Sequence, residues 1–207
     1  MSTIGERLAG MPATHADEPA AGPAIRTWAL SKSYGRRPAL TELDLEVPAG
    51  GVFGYLGPNG AGKTTTIRLL AGLLRPTSGR AEVLGLDTVR DRERVQRRIG
   101  YLPGDFVAYH DLTGEQYLRY LAGLRGGVDW ASVERLAKRF DLDLGLRIHT
   151  LSHGNRQKVG LVQAFMHGPD LLILDEPTNG LDPIMQREFV TLLRETRDAG
   201  RTVFLSS

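Results

Sequence analysis

The stretch Gly57-Pro58-Asn59-Gly60-Ala61-Gly62-Lys63-Thr64-Thr65 has the residue types and spacing that hold a chain of phosphates. Its glycines let successive backbone N–H groups turn inward, where a Cβ would intrude, and form a nest for phosphate oxygens. Lys63 would reach the β- and γ-phosphates, and the Thr64 hydroxyl would coordinate Mg²⁺. Before the loop, Val52-Phe53-Gly54-Tyr55-Leu56 is a short apolar run suited to a buried parallel strand. After it, Ile67, Leu70, Ala71 and Leu74 fall on one face of a helix. The start of that helix adds its partial positive charge at the same spot. A bare glycine turn fits the letters too, but the flanking strand and helix favour nucleotide binding.

A second cluster closes another apolar run, Leu171-Leu172-Ile173-Leu174, with Asp175-Glu176-Pro177. Two carboxylates at the end of a buried strand are costly unless the charges act on something. Beside a phosphate loop, a strand-end aspartate is placed to hold Mg²⁺ through its water shell. Glu176, beyond the strand, could orient and deprotonate an attacking water. A surface turn after a core strand is the plainer alternative.

Other elements must position these groups. Residues 1–24, rich in Ala, Pro and Gly without apolar period, read as a disordered extension. Ala24 to Leu30 predicts a strand, and Ser31 to Gly35 a polar turn. Leu43 to Val47 alternates like a half-exposed strand, and Gly79 to Leu84 predicts another. Val89 to Arg98 is a charged helical stretch, read as a solvated face. Ile99 to Leu102 is strand-like. Thr113 and Gln116 have the spacing of a capping box, followed by an apolar stripe of Tyr117, Leu121 and Leu124. Val133, Leu136, Ala137 and Phe140 mark a second helix. Asn155 to His167 is a third, stopped by Gly168-Pro169. The pattern predicts a helical subdomain, about residues 103–168, inserted into an α/β core. Asp182-Pro183 then opens a helix running to Gly200, and Thr202 to Ser206 begins another buried strand.

Bulk properties agree with a globular α/β chain. Of 207 residues, 41% are hydrophobic and 24% charged. No stretch approaches the ~18 apolar residues of a membrane span, and residues 1–24 lack the apolar segment of a signal peptide. There is no cysteine, hence no disulfide framework. The net charge of +2 is too small a bias to argue for nucleic acid, and none is expected as a partner.

Taken together, the phosphate loop, Leu151-Ser152-His153-Gly154-Asn155 and Leu171 to Pro177 resemble, in order and spacing, the ATP-binding cassette (ABC) family. The resemblance covers about residues 25–207. It implies a P-loop NTPase core of ABC type with an antiparallel β subdomain as well as the helical one. Tyr34 looks like the aromatic that stacks on adenine. Gly57 to Thr65 matches the Walker A loop, Asp175 the Walker B magnesium aspartate and Glu176 the catalytic glutamate. Ser152 to Asn155 resembles the LSGGQ signature, whose serine and backbone N–H groups contact ATP held by the opposite subunit. Asn179 to Asp182 resembles the D-loop that joins the two sites. In this fold ATP lies between two head-to-tail cassettes, so a lone copy implies a homodimer.

Three departures stand out. His153 and Asn155 replace a glycine and a glutamine of the signature, and no ligand spacing gives His153 a metal role. Gly104 stands where the family has the Q-loop glutamine, with Asp105 as a possible substitute. The switch histidine is expected just after Ser207, so the chain reads as incomplete at its C-terminus, a piece of a longer subunit.

The resemblance implies an MgATP-hydrolysing motor bound to a transmembrane permease, peripheral on the cytoplasmic face of the cell membrane. Pro103-Gly104-Asp105 and Asn155-Arg156-Gln157-Lys158 are similar to the drug- and antibiotic-exporter branch. Phe106, Tyr109 and Leu112 are candidate permease contacts. Two other readings stay open: a soluble cassette acting on ribosomes or nucleic acid, and a nucleotide-binding regulator with little turnover.

Overall fold

The computed structural model describes residues 22–109 and 111–207. Most of the expected N-terminal extension, residues 1–21, lies outside them. Ala24 is already bound into a sheet, its N–H donating to Val47 O and its carbonyl accepting from Leu84 N, both at 2.8 Å.

Two four-stranded sheets organise the chain. One is parallel, built from β3 (Val52–Tyr55), β8 (Thr202–Ser206), β7 (Leu171–Leu174) and β6 (Ile99–Leu102), in that order. Its central strands β7 and β8 are buried throughout, β7 apolar from end to end and β8 apolar between Thr202 and Ser206, as suits strands covered on both faces. Alternate residues serve two cores. Leu172, Leu174, Val203 and Leu205 face the helical part of the chain, while Leu171, Ile173 and Phe204 face the other sheet. The strand before the phosphate loop was expected to be buried. It is instead the outer strand β3, with Gly54 exposed and Val52, Phe53 and Tyr55 half-buried.

The second sheet is antiparallel, in the order β2 (Arg37–Val47), β1 (Ile25–Tyr34), β4 (Ser78–Val83) and β5 (Leu86–Asp87). Strand β1 continues through the expected turn at Ser31 to Tyr34. A bulge hides this in the sequence: Ala29 and Glu42 have φ of 44° and 46°, and the strand register slips there. Ser31 Oγ bridges the defect, donating to Ala29 O at 3.1 Å and accepting from Glu42 N at 2.8 Å.

Between the strands lie α1 (Lys63–Leu70) and α2 (Arg92–Arg98), then α3 (Gly114–Leu124), α4 (Trp130–Arg139), α5 (His153–Phe165) and α6 (Pro183–Asp198). Helix α2 starts later than the charged stretch suggests because Asp87 Oδ1 holds Val89 N and Arg90 N in a turn, each at 2.9 Å. The capping box is present at α3: Thr113 N donates to Gln116 Oε1 at 3.0 Å and Gln116 N to Thr113 Oγ1 at 3.2 Å. Helices α3 to α5 share one core with α6, centred on Leu118, Val133, Phe140, Ile148, Val162 and Phe189. Arg139 of α4 ties that layer to α6 through Glu188 at 3.2 Å and Glu195 at 3.0 Å. Among the described residues no helix is long and apolar enough to cross a membrane.

Candidate functional site

The phosphate loop connects β3 to α1. Gly60 and Gly62 both have positive φ, 83° and 86°. At Gly62 this is compulsory twice over, since a Cβ there would lie 2.3 Å from Ala39 O of β2. The loop therefore presses directly on the antiparallel sheet. Gly62 caps α1 without any side-chain hydrogen bond, so the first N–H groups of the helix have no side chain satisfying them. Lys63 is buried, and its ammonium donates to Gly57 O and, at 3.4 Å, to Pro58 O. The charge is thus held across the mouth of the loop. Thr66 stiffens the turn beneath, donating to Gly62 O at 3.1 Å. A cleft of about 420 Å³ opens here, lined by Pro58, Asn59, Gly60, Gly62, Lys63, Thr64 and Thr65. Glu176 forms its far wall, with Pro38 and Ala39 of β2.

Asp175 follows β7 directly and is 1% exposed. Its Oδ1 accepts a hydrogen bond from Ser206 Oγ at the end of β8, while Oδ2 is buried without any hydrogen-bond partner. A buried carboxylate oxygen without a donor is costly unless a cation or its water completes it. The Thr64 hydroxyl in the cleft lining is a hard oxygen of the same kind, a donor type that suits Mg²⁺ carried on phosphates. No cluster of His, Cys, Asp and Glu able to hold a metal by itself occurs among the described residues. Gly104 passes so close that a Cβ on it would lie 3.3 Å from Oδ2. Nearby, burial pushes the Tyr101 hydroxyl up from its ordinary pKa, against the pull of Arg68 beside it.

Glu176 takes φ of 45°, rare for a residue with a side chain. Two buried groups hold it there. Its N–H donates to Ser206 Oγ at 3.0 Å, and Gln157 Nε2 of α5 donates to Glu176 O at 3.5 Å and Pro177 O at 3.4 Å. The sequence places Gln157 in the Asn155 to Lys158 run and Ser206 at the end of a buried strand, and by itself gives neither a role at this site. The available signal was a polar residue within an otherwise apolar buried strand or helix face.

The segment Ser152 to Asn155 does not line this cleft. Ser152 caps α5, its Oγ accepting from Asn155 N at 3.2 Å, and with His153 it stands exposed. A Cβ on Gly154 would lie 2.4 Å from Gly180 O, and one on Gly180 2.5 Å from His153 Cδ2. So this segment and Asn179 to Asp182 pack tightly, Gly154 against the backbone of Gly180 and Gly180 against the His153 ring. Asp182 caps α6, Oδ1 accepting from Ile184 N at 2.9 Å and Met185 N at 3.0 Å. The bond from Met185 leads in holding its carboxyl below the ordinary carboxylate range. Tyr34 ends β1, half-exposed, with the Lys32 ammonium 5.4 Å from its ring centre. It is not part of the cleft lining.

Residues 40–179 match the sequence profile of a family described as ABC transporter. The chain is 43% identical over 192 residues to the daunorubicin/doxorubicin resistance ATP-binding protein DrrA of Streptomyces peucetius, covering 89% of this chain and 57% of that one. It is 37% identical over 195 residues to the bacitracin transport ATP-binding protein BcrA of Bacillus licheniformis, covering 88% and 61%. It thus spans about three fifths of the length of these curated relatives. A solved ATP-binding subunit of an ABC transporter superposes with a TM-score of 0.77 at 33% identity, covering 89% of this chain and 79% of that one. By profile, relatives and fold, the chain belongs to the ABC transporter family.

Proposed function

We propose that this chain is the motor of a membrane transporter, binding and hydrolysing MgATP between two copies of itself. The observation that carries the reading is the cleft, where an uncapped helix start and Lys63 face Glu176, with Asp175 buried behind. Gly57 to Thr65 would cradle the phosphates, with the Lys63 ammonium moving from the loop carbonyls to phosphate oxygens. Thr64 and Asp175 would hold Mg²⁺, which when bound neutralises charge on the β- and γ-phosphoryl oxygens. Glu176 accepts the proton of the attacking water, its carboxylate aimed by the pinned backbone. Tyr34 supplies the adenine platform from the end of β1. Ser152, His153, Gly154 and Asn155 would meet the nucleotide of the second copy, with Asp182 and its loop between them. The exposure of Ser152 and His153, and the absence of all four from the chain's own cleft lining, support that division.

The names of the two relatives, one for bacitracin transport and one for drug resistance, favour an exporter. The partner would then be a permease, with the motor on its cytoplasmic side. Of the three contacts expected from sequence, Tyr109 is 59% exposed, whereas Phe106 and Leu112 are partly buried against the helical core. A wider groove between α2 and α3, lined by Arg97, Leu121, Leu124, Arg125 and His167, offers the permease more surface.

Glu176→Gln tests the chemistry. It keeps shape and removes the base, so hydrolysis should fall by about 10²–10⁴-fold while ATP binding persists. Size-exclusion chromatography with MgATP should show a trapped dimer. A monomer that hydrolyses at the parental rate rules the reading out.

A further inference from the structure

We propose that Ser206 is a positioning residue for hydrolysis, a single hydroxyl that orients the Asp175 carboxylate and fixes the backbone of Glu176. The inference rests on reading the cleft as the MgATP site. Ser206 ends β8, and β7 pairs with β8 up to Leu174 opposite Leu205, so the next residues, Asp175 and Ser206, lie side by side. Ser206 is fully buried. A hydroxyl has one proton and two lone pairs. Here the proton goes to Asp175 Oδ1, and a lone pair accepts from Glu176 N at 3.0 Å.

The consequence for Asp175 is directional. With Oδ1 engaged by Ser206, the carboxylate cannot turn freely, and Oδ2 is the oxygen left for a cation or its water. That oxygen lies beside Gly104, where a Cβ would come within 3.3 Å of it, so this position of the loop offers it no side chain. Among the described residues Oδ2 has no hydrogen-bond partner, so the orientation of the Asp175 carboxylate depends on Ser206. The consequence for Glu176 is conformational. At φ of 45° its backbone needs support, and Ser206 holds the N–H side while Gln157 holds the carbonyl side. One hydroxyl thus links the residue that would hold the metal to the residue that would take the proton. A serine that merely filled space would be replaceable by alanine. Alanine here would leave Asp175 with both oxygens unpartnered and Glu176 N without an acceptor.

The test compares Ser206→Ala, Ser206→Thr and Ser206→Val in the full-length protein, with Mn²⁺ as the probe. Mn²⁺ affinity is measured by calorimetry in the presence of a non-hydrolysable ATP analogue, alongside analogue binding in EDTA and steady-state kinetics. Loss of an outer-shell hydrogen bond typically lowers metal affinity or activity by about 10–100-fold. Ser206→Ala should show that loss in Mn²⁺ affinity and in kcat, with KM for ATP and metal-free nucleotide binding within about twofold. Ser206→Thr should restore both, and Ser206→Val, its isostere without a hydroxyl, should not. If alanine prevents folding, the Thr and Val pair carries the same comparison. Equal behaviour of Thr and Val overturns the proposal, as does parental Mn²⁺ affinity in Ser206→Ala. If the unaltered protein binds no Mn²⁺ with the analogue, the MgATP reading itself fails, and the role of Ser206 with it.

Discussion

Helices α1 and α5 both begin at segments proposed to meet nucleotide, yet their first turns are built in opposite ways. At α1 the cap is Gly62, left-handed and without a side-chain bond, under a loop whose lysine is buried. At α5 the cap is Ser152, exposed, with its own hydroxyl bonded to Asn155 N. The first start leaves helix donors open toward a cleft that the chain itself walls in. The second satisfies part of its backbone and shows its remaining surface outward. A helix start is thus readable as an anion site by what it withholds from itself. One that is already capped and exposed depends on a second molecule for any such role. Each half of the contrast can be broken by substitution.

The largest effect should come from Lys63→Ala at the first helix start. It removes the only lysine on the loop and, on the proposed reading, a charge-assisted contact to phosphate worth about 1.5–3 kcal/mol. At 1.4 kcal/mol per decade, ATP affinity should fall by about 10–100-fold, with turnover lost. Fluorescent-nucleotide titration measures this directly. Unchanged affinity and turnover would mean that the open donors of α1 do not face phosphate.

A smaller and differently shaped effect is expected for Gly154→Ala at the second. The new methyl would sit 2.4 Å from Gly180 O, so the loop before Asp182 must shift. Overpacking of this kind typically costs about 1–3 kcal/mol, seen as a lower Tm. Nucleotide binding to the single chain should stay near parental, because neither glycine lines the cleft. ATP-driven association should be lost. Weakened binding to the single chain, with association intact, would reverse the contrast.

What the sequence revealed follows the same division between local and distant causes. The phosphate loop is contiguous, so its glycines, lysine and threonines could be read as one unit. The capping box at Thr113 and Gln116 and the Asp182-Pro183 helix start are likewise local, and both stand in the structure. The carboxylates after β7 were visible because an unbroken apolar run ends in two charges. What escaped notice depends on strands meeting from afar. Ser206 lies 31 residues from Asp175, and only the pairing of β7 with β8 brings them together. Gln157 reaches Glu176 across 19 residues by the way α5 packs. The sequence predicts an end to β1 at Leu30, short of Tyr34, because the bulge at Ala29 breaks the alternation on which strand reading relies. The outer position of β3 was hidden for a related reason: its apolar letters suit a buried strand, but sheet order is a property of the whole chain.

The smallest effect separates the two duties of Ser152. As a cap, its loss in Ser152→Ala should cost about 1 kcal/mol, a Tm decrease of about 2–4 °C for a domain of this size. Ser152→Asp should recover that stability, since aspartate caps equally well and its charge favours a helix N-terminus. The two variants part company in association. If the second start meets the phosphates of a nucleotide on another copy, the aspartate places like charge against them. Ser152→Asp should then be the more stable variant and the poorer dimer, whereas Ser152→Ala should retain part of its ATP-driven association. Thermal melts and size-exclusion chromatography with MgATP on the Glu176→Gln background read both quantities in the same samples. Equal Tm in the two variants would show that the Ser152 cap contributes nothing. Parental association in Ser152→Asp would show that this helix start does not face phosphate at all, leaving α1 as the sole anion-binding end of the site.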